Sequence, residues 1–268
     1  MALFVAGDDD DARTSGYAHA LHASLPYAAS FPRDWPFTAP KVPRCYSPLR
    51  RGAADPFDYG APVVLERLAD HWPACRTWTP AFFSRVMGHR TVPVEVGAHS
   101  NDFALQLMTV NEFLSRHIFQ TAPGGATGYL AQHPLSSQVP LLQNDFAIPH
   151  VCESAPHVNV WIGPAGTLTP FHADPCVVVS ARAKRRSPAA RYRNVLVQIV
   201  GCKRVQLKQS QCDAAEDDVV LLGPGEALYV PDGWLHQVAS LETSISLSFW
   251  WPPPLALPPP PPPRQTTQ

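Results

Sequence analysis

Two histidines and an aspartate give the chain its first candidate chemistry. His172 and Asp174 stand two residues apart in Thr169-Pro170-Phe171-His172-Ala173-Asp174, and His236 lies far downstream in Trp234-Leu235-His236-Gln237-Val238. On an extended strand, side chains at i and i+2 share a face. The imidazole and the carboxylate then converge, and a sheet that rolls up brings His236 to a third vertex. Two imidazoles and one carboxylate on one face are the donor set of non-haem Fe(II), with coordination positions left open. Surface turns also spell H-x-D, so residue types alone leave both readings open. A rival cluster, His150, Glu153 and His157, is flanked by Pro149 and Pro156 and has no helical or strand repeat, which argues against a metal there. His71, His89, His99, His117 and His133 read as ordinary surface or core residues.

The elements around these residues fall into two groups. From residue 62 to about 120 the signals are mainly helical. Pro62 precedes Val63, Val64, Leu65 and Leu68 at a plausible helix start. Thr79-Pro80 supplies an N-cap and a proline at the first helical position. Thr109-Val110-Asn111-Glu112 spells a capping box, with Phe113, Leu114, Ile118 and Phe119 as the apolar face behind it. Between them, Thr91 to Val96 alternates like a strand. From residue 157 the period becomes two, with strands expected at Val158–Ile162, Asn194–Val200, Arg204–Leu207, Asp218–Leu222, Ala227–Val230, Trp234–Val238 and Ser244–Phe249. Gly223-Pro224-Gly225-Glu226 reads as a hairpin turn. The expected fold is mainly β with flanking helices, a jelly roll.

Composition narrows the function classes. Hydrophobic residues make up 45 %, and the net charge of −1 provides no global field for nucleic acid, so direct nucleic-acid binding is not expected. No apolar stretch approaches the roughly 18 residues of a spanning helix, and the N-terminus lacks a signal-peptide pattern. The six cysteines form no C-x-x-C pair and read as reduced thiols. A soluble intracellular protein is expected, in the nucleus and/or the cytoplasm. Residues 1–40 carry the Asp8–Asp11 run with no sustained period and read as poorly ordered. Residues 252–268 form a Pro-rich tail, closing on Pro258 to Pro263.

Val158-Asn159-Val160-Trp161-Ile162-Gly163-Pro164 with Thr167 to Pro175, Gly223 to His236, and Ser246 to Trp251 resemble the core of the Jumonji-C (JmjC) oxygenases. Asp70-His71-Trp72-Pro73, Arg90 to Gly97, Met108 to Phe113 and Gly128 to His133 resemble one branch of that family. The resemblance covers about residues 41–251, a helix-and-strand flank (41–156) followed by a β core (157–251). It implies a cupin-like double-stranded β-helix using Fe(II), 2-oxoglutarate and O₂.

Carried over by position, His172, Asp174 and His236 would be the iron ligands and the catalytic centre. Lys203 would pair with the distal carboxylate of 2-oxoglutarate, with Tyr129, Thr169 and Asn194 as its other polar contacts. A buried dianion needs such a cation and donors to offset its desolvation. Glu95 matches an acidic residue of the substrate pocket. The implied substrate is a protein or peptide bearing arginine or methyl-lysine, for instance a histone or chromatin-associated protein, with no membrane partner. Hydroxylation of arginine is the first reading. Demethylation of methyl-lysine is the second, and an inactive JmjC-like binding module the third. One departure is the basic insert 176–193 between Asp174 and Asn194, which reads as a surface loop, a nucleic-acid-facing patch or a gene-model error.

Overall fold

The last strand shows how this sequence makes a two-sided sheet. Ser244–Phe249 alternates small polar and large apolar residues before Trp250 and Trp251 close the strand, and all eight are buried. Ile245, Leu247, Phe249 and Trp251 enter one core. The serines on the opposite face are satisfied from within. Gln198 donates to Ser244 Oγ (2.9 Å) and accepts from Ser246 Oγ (2.8 Å), and Ser248 Oγ accepts from Trp161 Nε1 (2.9 Å). Buried hydroxyls without such partners would each carry a desolvation cost.

The computed structural model describes residues 42–46, 60–97, 103–120, 126–174, 192–209 and 218–252. The 1–40 segment, residues 253–268 of the tail and residues 176–191 of the insert lie outside them. The flanking strands are β1 (Arg44–Tyr46), β2 (Val63–Glu66), β3 (Thr91–Val96), β4 (Ala104–Thr109) and β5 (Gly128–His133). The later strands are β6 (His157–Gly163), β7 (Leu168–His172), β8 (Arg193–Val200), β9 (Lys203–Gln209), β10 (Asp218–Leu222), β11 (Ala227–Val230), β12 (Trp234–Ser240) and β13 (Ser244–Trp251). They form a nine-stranded sheet, β1-β2-β11-β8-β13-β6-β5-β3-β4, and a four-stranded sheet, β10-β9-β12-β7. The protein is thus mainly β with flanking helices, the two facing sheets of a jelly roll.

Each face of the larger sheet has its own core. Val63, Leu65, Val195, Val197, Ala227 and Tyr229 pack with Trp78 and with helical residues such as Phe83, Phe113 and Leu114. The residues between them, Val64, Leu196, Leu228 and Val230, face the smaller sheet and meet Val205, Leu207, Val220 and Leu222. Strands buried on both faces read as continuous apolar runs.

That accounts for one correction. The run after Pro62, expected to be helical, is strand β2. Its consecutive apolar residues are divided between two cores, a pattern that hydropathy cannot distinguish from a buried helix. A second correction concerns Gly223 to Glu226. This turn does not close a hairpin, because β10 pairs with β9 whereas β11 pairs with β2 and β8. It carries the chain between sheets.

Other expectations hold. Thr79 caps the helix Pro80–Met87 with proline inside its first turn. The Thr109–Glu112 capping box is complete, opening the helix Val110–Phe113 that continues as a π-helical segment, Leu114–Phe119. β4 runs against hydropathy, since Leu105 and Leu107 are exposed. The four described cysteines, Cys45, Cys75, Cys152 and Cys202, are free thiols.

Gly201 makes the tight turn from β8 into β9 at φ +72°, and a Cβ there would lie 2.2 Å from Thr243 O. Gly201→Ala combines a left-handed conformation, costing roughly 1–2 kcal/mol, with a backbone clash. A fall in melting temperature of about 4 °C or more is expected by calorimetry. An unchanged transition would mean that the turn relaxes freely.

Candidate metal centre

The two histidines meet through strand register. β7 and β12 are antiparallel neighbours in which His172 and His236 are direct partners. Their rings therefore emerge side by side on one face, with centroids 4.3 Å apart at 54°. Strand β7 ends at His172, so Asp174 is not a strand residue as expected. It lies just beyond the strand end and is buried, with Oδ1 3.8 Å from His236 Nε2.

Donor atoms of the three residues all lie within 4.8 Å of one another. Among the described residues this is the one such group of His, Cys, Asp or Glu able to hold a metal ion. The imidazoles are oriented alike. His172 Nδ1 is 2.9 Å from Pro170 O, and His236 Nδ1 is 3.5 Å from Trp234 O. Each Nδ1–H thus donates to the carbonyl two residues upstream, which leaves the Nε2 lone pair free to ligate a metal. Burial, then the neighbouring His172, pushes the His236 pKa down to about 3. Its ring is therefore neutral near pH 7, the form that ligates a metal.

The rival cluster is not assembled. Glu153 is paired with Arg193 (2.8 Å), and His157 Nε2 is 3.4 Å from Tyr192 OH. Arg193, assigned to the insert from sequence, is the first residue of β8.

A second constellation lines the same cavity. Tyr129, Thr169, Asn194 and Lys203, from β5, β7, β8 and β9, all border the cavity that contains the histidines and Asp174. Lys203 is 1 % exposed, and its Nζ donates to Tyr129 OH at 3.0 Å. It has no ion-pair partner among the described residues, and burial lowers its pKa to about 7. Burial raises the Tyr129 phenol well above its usual range, and Thr169 is its further hydrogen-bond partner. Asn194 Oδ1 is buried without a partner. A buried ammonium, a phenol and a hydroxyl, with the Asn194 side-chain N–H as a further donor beside them, form a cradle for a carboxylate anion.

Glu95 is placed differently. It is half-buried in β3, directly opposite Tyr129 of β5, and outside the cavity lining. Burial raises its carboxyl pKa.

Several lining residues escaped the sequence reading, among them Trp161, Ser248, Trp250, Leu196 and Val238. The Trp161 ring lies 5.8 Å from that of Tyr129. The alternation of β6 carries a signal for it, since Trp161 and Gly163 share a face. A Cβ at Gly163 would lie 2.6 Å from the Tyr129 ring, so that glycine makes room for the phenol.

Comparison with known proteins gives a concordant result. The model of the cupin-like domain matches residues 57–213 and 208–256. Lysine-specific demethylase 8 of Xenopus tropicalis is 35 % identical over 70 % of this chain and 47 % of that protein. Lysine-specific demethylase 8 of Danio rerio is 34 % identical over 78 % and 58 %, and Jumonji C domain-containing protein 5 of Drosophila melanogaster 33 % over 72 % and 55 %. The chain spans about half the length of the curated relatives it matches.

Proposed function

Since the chain belongs to the cupin-like domain family in its JmjC branch, we propose that it is an Fe(II)- and 2-oxoglutarate-dependent oxygenase that hydroxylates arginine in a protein substrate. The observation that carries this reading is the convergence of His172, Asp174, His236 and the unpaired Lys203 on one cavity. His172 Nε2, His236 Nε2 and the Asp174 carboxylate hold the iron. Lys203, Tyr129, Thr169 and Asn194 hold the distal carboxylate of 2-oxoglutarate. Bound Fe(II), with this co-substrate and O₂, supplies the oxidising power to put oxygen into an unactivated C–H bond.

The chain's own residues do the rest. The backbone carbonyls of Pro170 and Trp234 keep both imidazoles in the ligating tautomer. The Tyr129 phenol stays protonated and donates at any physiological pH. Leu196, Val205, Leu228, Val230 and Val238 give the cavity apolar walls that exclude water and strengthen each polar contact inside.

Arginine is favoured by Glu95. A half-buried carboxylate with no ion-pair partner among the described residues, beside the cavity, suits a guanidinium, which it can engage through two parallel hydrogen bonds. Glu95→Ala is expected to lower kcat/KM for an arginine peptide by about 10- to 100-fold, leaving peptide-independent 2-oxoglutarate turnover unchanged.

The second reading, methyl-lysine demethylation, is supported by the names of the relatives and by the Tyr129–Trp161 aromatic pair. Mass spectrometry on matched arginine and dimethyl-lysine peptides decides between them. Gain of one oxygen by the arginine peptide alone is the expected result. Formaldehyde release from the lysine peptide with no arginine oxidation would replace hydroxylase with demethylase. The third reading, an inactive JmjC-like module, requires that no succinate be formed. We place the activity in the nucleus and/or the cytoplasm, acting on a histone, a chromatin-associated protein or another protein substrate. No helix among the described residues is long and apolar enough to cross a membrane.

A further inference from the structure

The nine-stranded sheet extends further than the four-stranded sheet facing it, and its β5-β3-β4 end carries an uncovered apolar surface. Leu105, Glu95 and Tyr129 are direct cross-strand partners along β4, β3 and β5. Side chains of such partners emerge on one face. Because Tyr129 lines the cavity, Leu105 lies on the cavity's side of the sheet, at its outer edge. Pro93 and Leu107 form the next row on that side. The other side of these strands is conventional, with Val92, Val94 and Met108 buried in the helix-side core. On the cavity side Leu105 is 65 % exposed and Leu107 74 %, with Phe103, just before the strand, 43 % exposed.

Resting on the hydroxylase reading above, we infer that this shelf docks the substrate protein. Its occupant is an extended segment with leucine-like side chains flanking the cationic residue to be oxidised. Three observations carry the assignment. The shelf is continuous with the cavity through strand register, so a segment lying on Leu105 and Leu107 has Glu95 and then Tyr129 beside it. Charge is complementary, because Glu95, with no ion-pair partner among the described residues, lies between the shelf and the cavity and meets the cation on its way in. Finally, adjacent exposed leucines on an edge strand invite aggregation, which proteins ordinarily suppress with charges or prolines. Here the edge strand reads Ala104-Leu105-Gln106-Leu107 without a charge. A membrane surface fits poorly, since the charged group in the patch is a carboxylate.

The test uses two fluorescein-labelled peptides with a central arginine, one flanked by leucines and one by serines. Anisotropy is measured on the full chain with Fe(II) and 2-oxoglutarate under anaerobic conditions, so that no turnover intervenes. The leucine peptide is expected to bind at least about tenfold more tightly. In Leu105→Ser/Leu107→Ser the ratio should fall to about one, with serine-peptide affinity and peptide-independent succinate formation unchanged. Equal affinities in the unaltered protein, or a preference that survives the double substitution, would overturn the shelf. So would a dimer in light scattering that the double substitution dissociates, since a second copy would then be the occupant. Admitting O₂ tests the hydroxylase reading separately. A leucine peptide bound with the expected preference yet left unoxidised counts against arginine hydroxylation and leaves the shelf standing. Equal binding and oxidation of both peptides does the reverse.

Discussion

His172→Ala and Asp174→Ala are each expected to abolish metal-dependent conversion of 2-oxoglutarate to succinate, to below about 1 % of the unaltered rate. The pairing of His172 with His236 across β7 and β12 fixes two donors on one face, and Asp174 closes the group from the strand end. With one donor gone, two ligands remain for an ion that needs an open yet rigid site, and metal affinity falls with the donor count. Metal content and succinate yield should therefore fall together. His172 is only half-buried, so its alanine variant is expected to fold, and an unchanged melting temperature checks this. Undiminished turnover in either variant would remove the assignment. Loss of turnover with full metal occupancy would move that residue from ligand to another role.

Lys203→Ala is expected to raise the 2-oxoglutarate requirement by roughly 10- to 150-fold, the loss of a charge-assisted hydrogen bond of about 1.5–3 kcal/mol. Lys203 is fully buried, with Nζ against Tyr129 OH and no carboxylate paired to it among the described residues. Lys203→Met separates binding from packing. Replacing a buried unpaired cation with an apolar side chain of similar volume is neutral or stabilising. This variant should melt no lower than the parent without co-substrate and still lose affinity.

The pH dependence has a definite sign. Burial lowers the lysine's folded pKa to about 7, below its unfolded value. The unfolded chain therefore holds more protons between the two values, and stability without co-substrate rises with pH across that window. Affinity for the dicarboxylate runs the other way, weakening above about pH 7 as the free protein's ammonium is lost. Calorimetric titration that finds affinity constant from pH 6.5 to 9, taken as a window about that folded pKa, would place Lys203 outside the binding site.

Legibility in the sequence followed the physics of each element. Ser244–Phe249 and Thr91–Val96 were readable because alternation tracks the two faces of a strand. The capping residues Thr79 and Thr109 were readable because they act within four residues of chain. β2 was misread because both of its faces are buried, which erases the period. Gly223 to Glu226 was correctly a turn but wrongly a hairpin, since turn chemistry reverses the chain without choosing its partner strand.

At the site, residue types made the donor set legible, but the direct opposition of His172 and His236 is a matter of register, which residue types do not disclose. Lys203 would have read as an ordinary strand lysine without the family resemblance. Trp161 and Trp250 went unassigned because an aromatic on a strand looks the same whether it fills a core or lines a cavity. The shelf was hidden for a related reason, since Leu105 and Leu107 resemble core residues until the unequal extent of the two sheets leaves them uncovered.

The division of the cavity between the sheets has a mechanical consequence. His172, His236, Thr169 and Lys203 belong to the four-stranded sheet, whereas Tyr129 and Asn194 belong to the nine-stranded one. A dicarboxylate gripped by Lys203 and Tyr129 together would be a clasp across the seam of the sandwich. Occupancy should damp the breathing of one sheet against the other, an opening that exposes the apolar layer formed by Leu196, Val205, Leu207 and Leu228. Amide hydrogen exchange should then slow in β9 and β12 when 2-oxoglutarate is present, while the helix-side amides of Pro80–Met87, across the other core, keep their rates.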